Sequence, residues 1–170
     1  VVAVGESGLD YFRTADPGRE AQKESFRAHI EMAARHDLPL QIHDREAHED
    51  SIELVRECAN SDQRIVFHCF SGDAAMASVL AEHGWYASFA GPISYPANED
   101  LRQAFAVLPR ELVLVETDAP YLTPLPWRGC PNASYVMAHT VRFIADLWGV
   151  SEERACTQLR ENTERVYGSW

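Results

Sequence analysis

Four residues of the kind that ligate divalent cations, Glu6, His43, His68 and Asp118, each follow a short run of apolar residues. The runs are Val1-Val2-Ala3-Val4, Leu38-Pro39-Leu40-Gln41-Ile42, Arg64-Ile65-Val66-Phe67 and Leu112-Val113-Leu114-Val115. Imidazoles and carboxylates together form a mixed nitrogen–oxygen donor set, which suits Mg, Mn or Zn better than a metal selected by thiolates. Carboxylates that bridge two cations about 3.5–4 Å apart support hydrolysis by a two-metal route. In that chemistry a bound water is acidified, and the charges on a phosphate and on the leaving oxygen are neutralised. Asp118 is placed both to ligate and to receive the proton of the attacking water. Strand alternation puts Leu112, Leu114, Glu116 and Asp118 on one face, so Glu116 is expected one layer below Asp118. There it either ligates directly, supports a ligand from behind, or pairs with a buried Arg or Lys.

The elements that must position these residues are strands and helices in alternation. Runs of four to six Val, Ile, Leu and Phe suit strands buried on both faces, as a parallel sheet requires. A fifth run, Tyr86-Ala87-Ser88-Phe89-Ala90, ends at Gly91. Between the runs lie helical patterns, predicted over 19–36, 47–58, 73–82, 98–107 and 134–148. Ser71 is the expected cap of the third and Gly84 its stop signal, while Ser151 opens a further helix and 162–167 a short last one. Repeated strand–helix units imply right-handed crossovers, and the strand ends recur about every 28 residues. Eight such units make a (β/α)8 TIM barrel of roughly 220–250 residues. Residues 1–170 therefore read as one domain, the C-terminal five or so units of that barrel, with roughly three units upstream of Val1. A small open doubly wound sheet is the alternative. Ligands of either architecture gather at the C-terminal ends of strands.

Composition narrows the setting. The 170 residues are 46% hydrophobic and 24% charged, with a net charge of −11. No run of about 18 apolar residues exists, so no membrane span is expected. A field of that sign repels nucleic acid, and a phosphate-bearing ligand must be held by a local device. Cys58, Cys69, Cys130 and Cys156 form no C-x-x-C pair and read as packed, reduced thiols. With no export signal among the first residues, the expected location is the cytoplasm. His29, His36, His48, His83 and His139 fall in helices or at their edges; for His36 and His83 a helix C-terminus is reason enough.

Four segments, in order, make the pattern specific. They are Gly5-Glu6-Ser7-Gly8-Leu9-Asp10-Tyr11, Gln41-Ile42-His43-Asp44-Arg45-Glu46-Ala47, Phe67-His68-Cys69-Phe70-Ser71-Gly72 and Glu116-Thr117-Asp118-Ala119-Pro120-Tyr121-Leu122. Together they resemble the TatD family of metal-dependent hydrolases, from Val1 to about Gly168. The resemblance implies a (β/α)8 barrel and divalent-metal-dependent hydrolysis, typically of DNA phosphodiesters, with DNA ends or single-stranded DNA as substrate. It gives Glu6 as a carboxylate shared between two metals, His43 and His68 as ligands of one, and Asp118 as ligand of the other and water-orienting base. Glu116 matches an acid that serves an additional metal or the shell behind the ligands. Arg45 is placed to meet a phosphate, and Asp10 and Tyr11, in the loop after the Glu6 strand, to touch substrate. The family's His-x-His strand has no counterpart here. Its Arg-Gly-Lys-x-Asn-Glu-Pro loop reads Arg128-Gly129-Cys130-Pro131-Asn132-Ala133-Ser134, which keeps Arg128 as a phosphate contact and lacks the Lys and Glu. Without a His-x-His strand, the His43/His68 metal is expected to bind weakly and the other poorly. Hydrolysis of another ester or amide, such as an aminoacyl-tRNA ester, and a non-catalytic scaffold are the competing expectations. Neither a membrane nor an obligate protein partner is implied.

Overall fold

The apolar runs pair edge to edge as five parallel strands, in a computed structural model that describes residues 1–169. The chain runs β1 (Val4–Asp10), α1 (Asp16–Arg35), β2 (Leu40–Arg45), α2 (His48–Cys58), β3 (Ile65–Phe67), α3 (Ala74–His83), β4 (Tyr86–Phe89), α4 (Glu99–Val107), β5 (Val113–Val115), α5 (Met137–Trp148) and α6 (Glu152–Tyr167). The strands neighbour one another in sequence order, β1-β2-β3-β4-β5, with every pairing parallel. A doubly wound sheet reverses its strand order at a switch point. No reversal occurs here, so the alternative falls and the fold is an arc of a (β/α)8 barrel.

The two faces of the arc have different chemistry because side chains alternate along each strand. Leu40, Ile42, Ile65, Phe67, Ala87, Phe89 and Val113 are buried against Phe26, Ile30 and Ala33 of α1 and other helical residues. The opposite face is apolar only at its base, where Val66, Tyr86 and Leu114 meet Val166 of α6. Two residues farther along β3, β4 and β5, that face carries His68, Ser88 and Glu116. Polar groups are thus concentrated at the C-terminal edge. Among the described residues, no helix is long and apolar enough to cross a membrane.

Several boundaries differ from expectation, each for a local reason. Asp73, not Ser71, caps α3, its carboxylate accepting from the Met76 amide at 2.9 Å; Gly84 does end that helix, at φ +69°. The expected last two helices are one, α6, because Leu159, Asn162 and Val166 continue its buried stripe. Asn162 donates to the carbonyls of Arg110 and Val113, each at 2.7 Å, so its side chain ties the helix to β5 rather than breaking it. Finally, β1 does not stop at Glu6 but runs on to Asp10. It carries an extra residue between Val4 and Ser7, which opposes Leu40–Ile42.

Candidate metal centre

That extra residue decides where Glu6 points. Val4 pairs with Leu40 and packs on the helical core. Plain alternation would turn Glu6 to the same side. A bulge resets the parity, and from Ser7 onward the pairing is Ser7 with Ile42, Gly8 with His43 and Asp10 with Arg45. Glu6 thereby joins the face of His43. Gly8 lets the two backbones approach: it sits at φ +154°, and a Cβ there would overlap the His43 carbonyl oxygen.

Three of the predicted ligands meet. Glu6 Oε1 lies 2.7 Å from His43 Nδ1 and 2.9 Å from His68 Nε2. One donor atom from each residue falls within 4.8 Å of the others, a group fit to hold a metal ion. Two imidazole nitrogens and a carboxylate oxygen converging on one point match the mixed donor set expected for Mg, Mn or Zn. Asp118 lines the same cavity, of about 980 Å³, without joining that group. β5 ends at Val115, and Asp118 takes φ +55°, so alternation does not carry through to it. A left-handed backbone in a non-glycine residue is a strained conformation of the kind that collects at functional sites. Cys69, directly after His68, shares it at φ +44°.

Glu116 lies behind His68 rather than beside Glu6. Its Oε2 is 3.3 Å from His68 Nδ1, while its Oε1 accepts from the Cys69 amide at 2.5 Å and from the Ser88 hydroxyl. Of the expected roles, direct ligation, support from behind and pairing with a buried Arg or Lys, this geometry matches support. Ser88 is not among the residues the sequence singles out; its only signal is a hydroxyl in an otherwise apolar buried strand, two residues beyond Tyr86. Asp10 is the last residue of β1, not a loop residue, and its Oδ2 lies 3.2 Å from His43 Nε2 while Oδ1 accepts from the Arg13 amide at 2.8 Å. Its carboxylate is occupied in orienting His43. Tyr11 is also displaced from the expected position: its hydroxyl donates to Asp50 on α2, and the Arg19 guanidinium lies over its ring at 4.2 Å. The phenol turns away because Asp50, paired with Lys23 at 2.8 Å, offers a partly buried anion.

Arg45 lines the cavity, its guanidinium 4.0 Å from the Phe12 ring centroid. Arg128 is exposed and lies over Tyr95 at 4.3 Å. The remaining histidines stay on helices or at their edges, as expected. His83 does more than face a helix end: it stacks on Trp85 at 4.4 Å and its Nε2 accepts from Arg56.

Electrostatics follow from these contacts. Burial by itself would depress the His68 imidazolium, but hydrogen bonds and charges from Glu116 and Glu6 override it and raise the pKa to about 9. Burial would raise the Glu116 carboxyl, yet the hydrogen bonds of His68 and Ser88 hold it below the ordinary value. Burial, reinforced by the negative charge of Glu116, raises Asp118. A raised His pKa contributes stability that is complete below the unfolded value near 6.5 and is lost as pH rises through about 9. Urea unfolding of the metal-free protein is therefore expected to show His68-dependent stability falling from pH 6.5 to pH 9, and a stability that is flat or rises across this range contradicts the pairing.

Comparison with known proteins bears on this geometry. Residues 1–168 match the family described as TatD related DNase. The chain is 41% identical over 175 residues to an uncharacterized metal-dependent hydrolase TatD of Mycobacterium tuberculosis, covering 99% of this chain and 65% of that protein. It is 36% identical over 167 residues to the uncharacterized metal-dependent hydrolase YcfH of Escherichia coli K12, covering 98% and 63%. Among solved structures, the TatD homolog YJJV of Escherichia coli superposes with a TM-score of 0.91 at 30% identity, covering 100% of this chain and 65% of that one. A hydrolase TatD family protein of Entamoeba histolytica gives 0.87 at 21% identity, covering 99% and 64%, a likeness of fold. The chain thus spans 63–65% of the length of these curated relatives.

Proposed function

The chain belongs to the TatD-related DNase family, and from that premise we propose that it serves divalent-metal-dependent hydrolysis of DNA phosphodiesters at the ends of single strands. The observation that carries this reading is the convergence of Glu6, His43 and His68 within 4.8 Å at the C-terminal edge of the sheet. Two divalent cations of the Mg, Mn or Zn type would supply there a water of lowered pKa and positive charge for the phosphate oxygens.

The chain's own residues divide the remaining work. Glu6 would serve as the shared carboxylate, with His43 and His68 completing the ligand set of one cation. Asp118 would ligate the other and is placed to take the proton of the attacking water; its raised pKa suits a base. Asp10 and Glu116 hold the outer nitrogens of His43 and His68 and so fix the two rings. Arg45 meets the phosphate through its guanidinium fork, with Arg128 as a second contact from the loop. A net charge of −11 disfavours a long duplex footprint and leaves a short single-stranded end as the better fit.

Nucleotide release from single-stranded and duplex DNA and amino-acid release from an aminoacyl ester, assayed in parallel with Mg, Mn and Zn, test the reading. Single-stranded DNA is expected to be the fastest substrate. Faster turnover of the acyl ester, or none of DNA, would overturn it.

Two further outcomes follow from the site. Glu116→Gln keeps an amide oxygen for the Cys69 amide and the Ser88 hydroxyl but removes the charge behind His68. It is expected to weaken cation binding about 10–100-fold, the usual cost of removing a partner behind a ligand, as read by calorimetric titration; an unchanged Kd contradicts the assigned role. In addition, His68 carries its proton at neutral pH, with its pKa raised to about 9. Filling the site displaces it, so titration with Mn at about pH 7.5 in buffers of different ionisation enthalpy is expected to report about one proton released per cation. Binding without proton release would contradict a charged His68 in the metal-free chain.

A further inference from the structure

Beside the metal centre, the rim of the cavity carries an arrangement that the ligand set does not use. Arg13 and Arg45 both line the cavity that holds Glu6, His43 and His68. Of the carboxylates close to them in sequence, Asp10 is engaged by His43 at 3.2 Å, Asp16 by Arg19 at 3.1 Å and Asp44 by His48 at 2.6 Å. Both guanidinium groups converge instead on one aromatic ring, that of Phe12, with centroid distances of 4.0 Å for Arg45 and 5.7 Å for Arg13. Phe12 is 54% exposed. An exposed phenylalanine alone is ordinary on a protein surface. One that has beside it two guanidinium groups lining the cavity, in a chain of net charge −11, is a different matter.

The chemistry that fits is a nucleobase with its flanking phosphates. A base stacks on an aromatic face or on a guanidinium plane, and each phosphate takes a guanidinium fork. The Phe12–Arg45 pair is already a two-layer stack that a base extends, and Arg13 adds charge at its side. Duplex DNA keeps its bases stacked on one another and offers no free face. We propose that Phe12, Arg13 and Arg45 form a clamp that grips one unstacked base and the adjacent phosphates of a single-stranded nucleic acid, next to the Glu6–His43–His68 centre. This rests on the nucleic-acid reading above and adds to it the residues that select single strands.

Fluorescence anisotropy with the full chain in Ca²⁺ tests it, using a labelled thymidine decamer and a decamer of equal charge whose sugars are abasic. The wild-type chain is expected to bind the thymidine decamer about tenfold tighter than the abasic one, within the range of a single base–aromatic stack. Phe12→Ala should abolish that preference and Phe12→Tyr should restore it. Arg13→Gln and Arg45→Gln should weaken both decamers alike and reduce the slope of log K against log salt by about 0.7 for each phosphate that is no longer neutralised. A Phe12→Ala chain that keeps the tenfold preference, or arginine variants with an unaltered salt slope, overturns the clamp while leaving the nucleic-acid reading intact. A wild-type chain that binds neither decamer and cleaves no single strand overturns both.

Discussion

Replacing Asp118 by Asn is expected to lower the rate of phosphodiester hydrolysis by about 10²–10⁴, the usual range for removing a positioned proton acceptor. Asn fills the same volume and tolerates the left-handed backbone that Asp118 adopts at φ +55°, so the fold should survive. What it cannot do is take a proton. Asp118 is suited to that task because burial and the neighbouring Glu116 charge both raise its pKa. It stands in the cavity but outside the Glu6–His43–His68 group, and the variant should keep its cation affinity at that group. Rates and calorimetric Kd values measured on the same preparation separate the two effects. A variant that keeps more than about a tenth of the wild-type rate would remove Asp118 from the mechanism.

The second large effect is expected at Glu6. Its Oε1 accepts from, or shares a cation with, both imidazoles at once, at 2.7 Å and 2.9 Å. Glu6→Gln removes the charge on which both rings converge. Removing a partner behind a ligand costs about 10–100-fold in affinity; removing the central ligand should cost more than about 100-fold, and hydrolysis should vanish at ordinary cation concentrations. Glu6 is half-exposed, at 49% of its side-chain surface, so the variant's thermal unfolding without metal is expected to stay close to wild type once the lowered His68 pKa is allowed for. A Kd within about tenfold of wild type would contradict the central position given to this carboxylate.

The residues differ in how far their roles are legible without the fold. His68 reads well, because a strand that is apolar on both faces and is followed at once by imidazole states its own conflict locally; His43 reads from its motif, since β2 carries Gln41 and runs on to Arg45. Glu116 reads half-way: alternation along β5 gives its face, but its partners Ser88 and the Cys69 amide come from other elements. Glu6 is identified by its motif, yet its orientation depends on the bulge between Val4 and Ser7, which is a property of the register between two strands. Asp10 and Tyr11 look like loop residues along the chain. The extension of β1 to Asp10 is fixed by pairing with Arg45, and the direction of Tyr11 by Asp50 on a helix 39 positions away. Such facts belong to pairs of distant segments, and no window along the chain contains them. Phe12, Arg13 and Arg45 are the same kind of case, visible as a group only once β1 and β2 lie side by side.

Every step proposed for the site depends on Glu6, His43 and His68 jointly holding a divalent cation. Titration of Mn into the metal-stripped chain, with free Mn followed by electron paramagnetic resonance, tests this when wild type is compared with His43→Ala, His68→Ala and Glu6→Gln. The wild type is expected to take up the ion, and each single substitution to weaken that uptake by more than about tenfold. Equal uptake by all four proteins would contradict it.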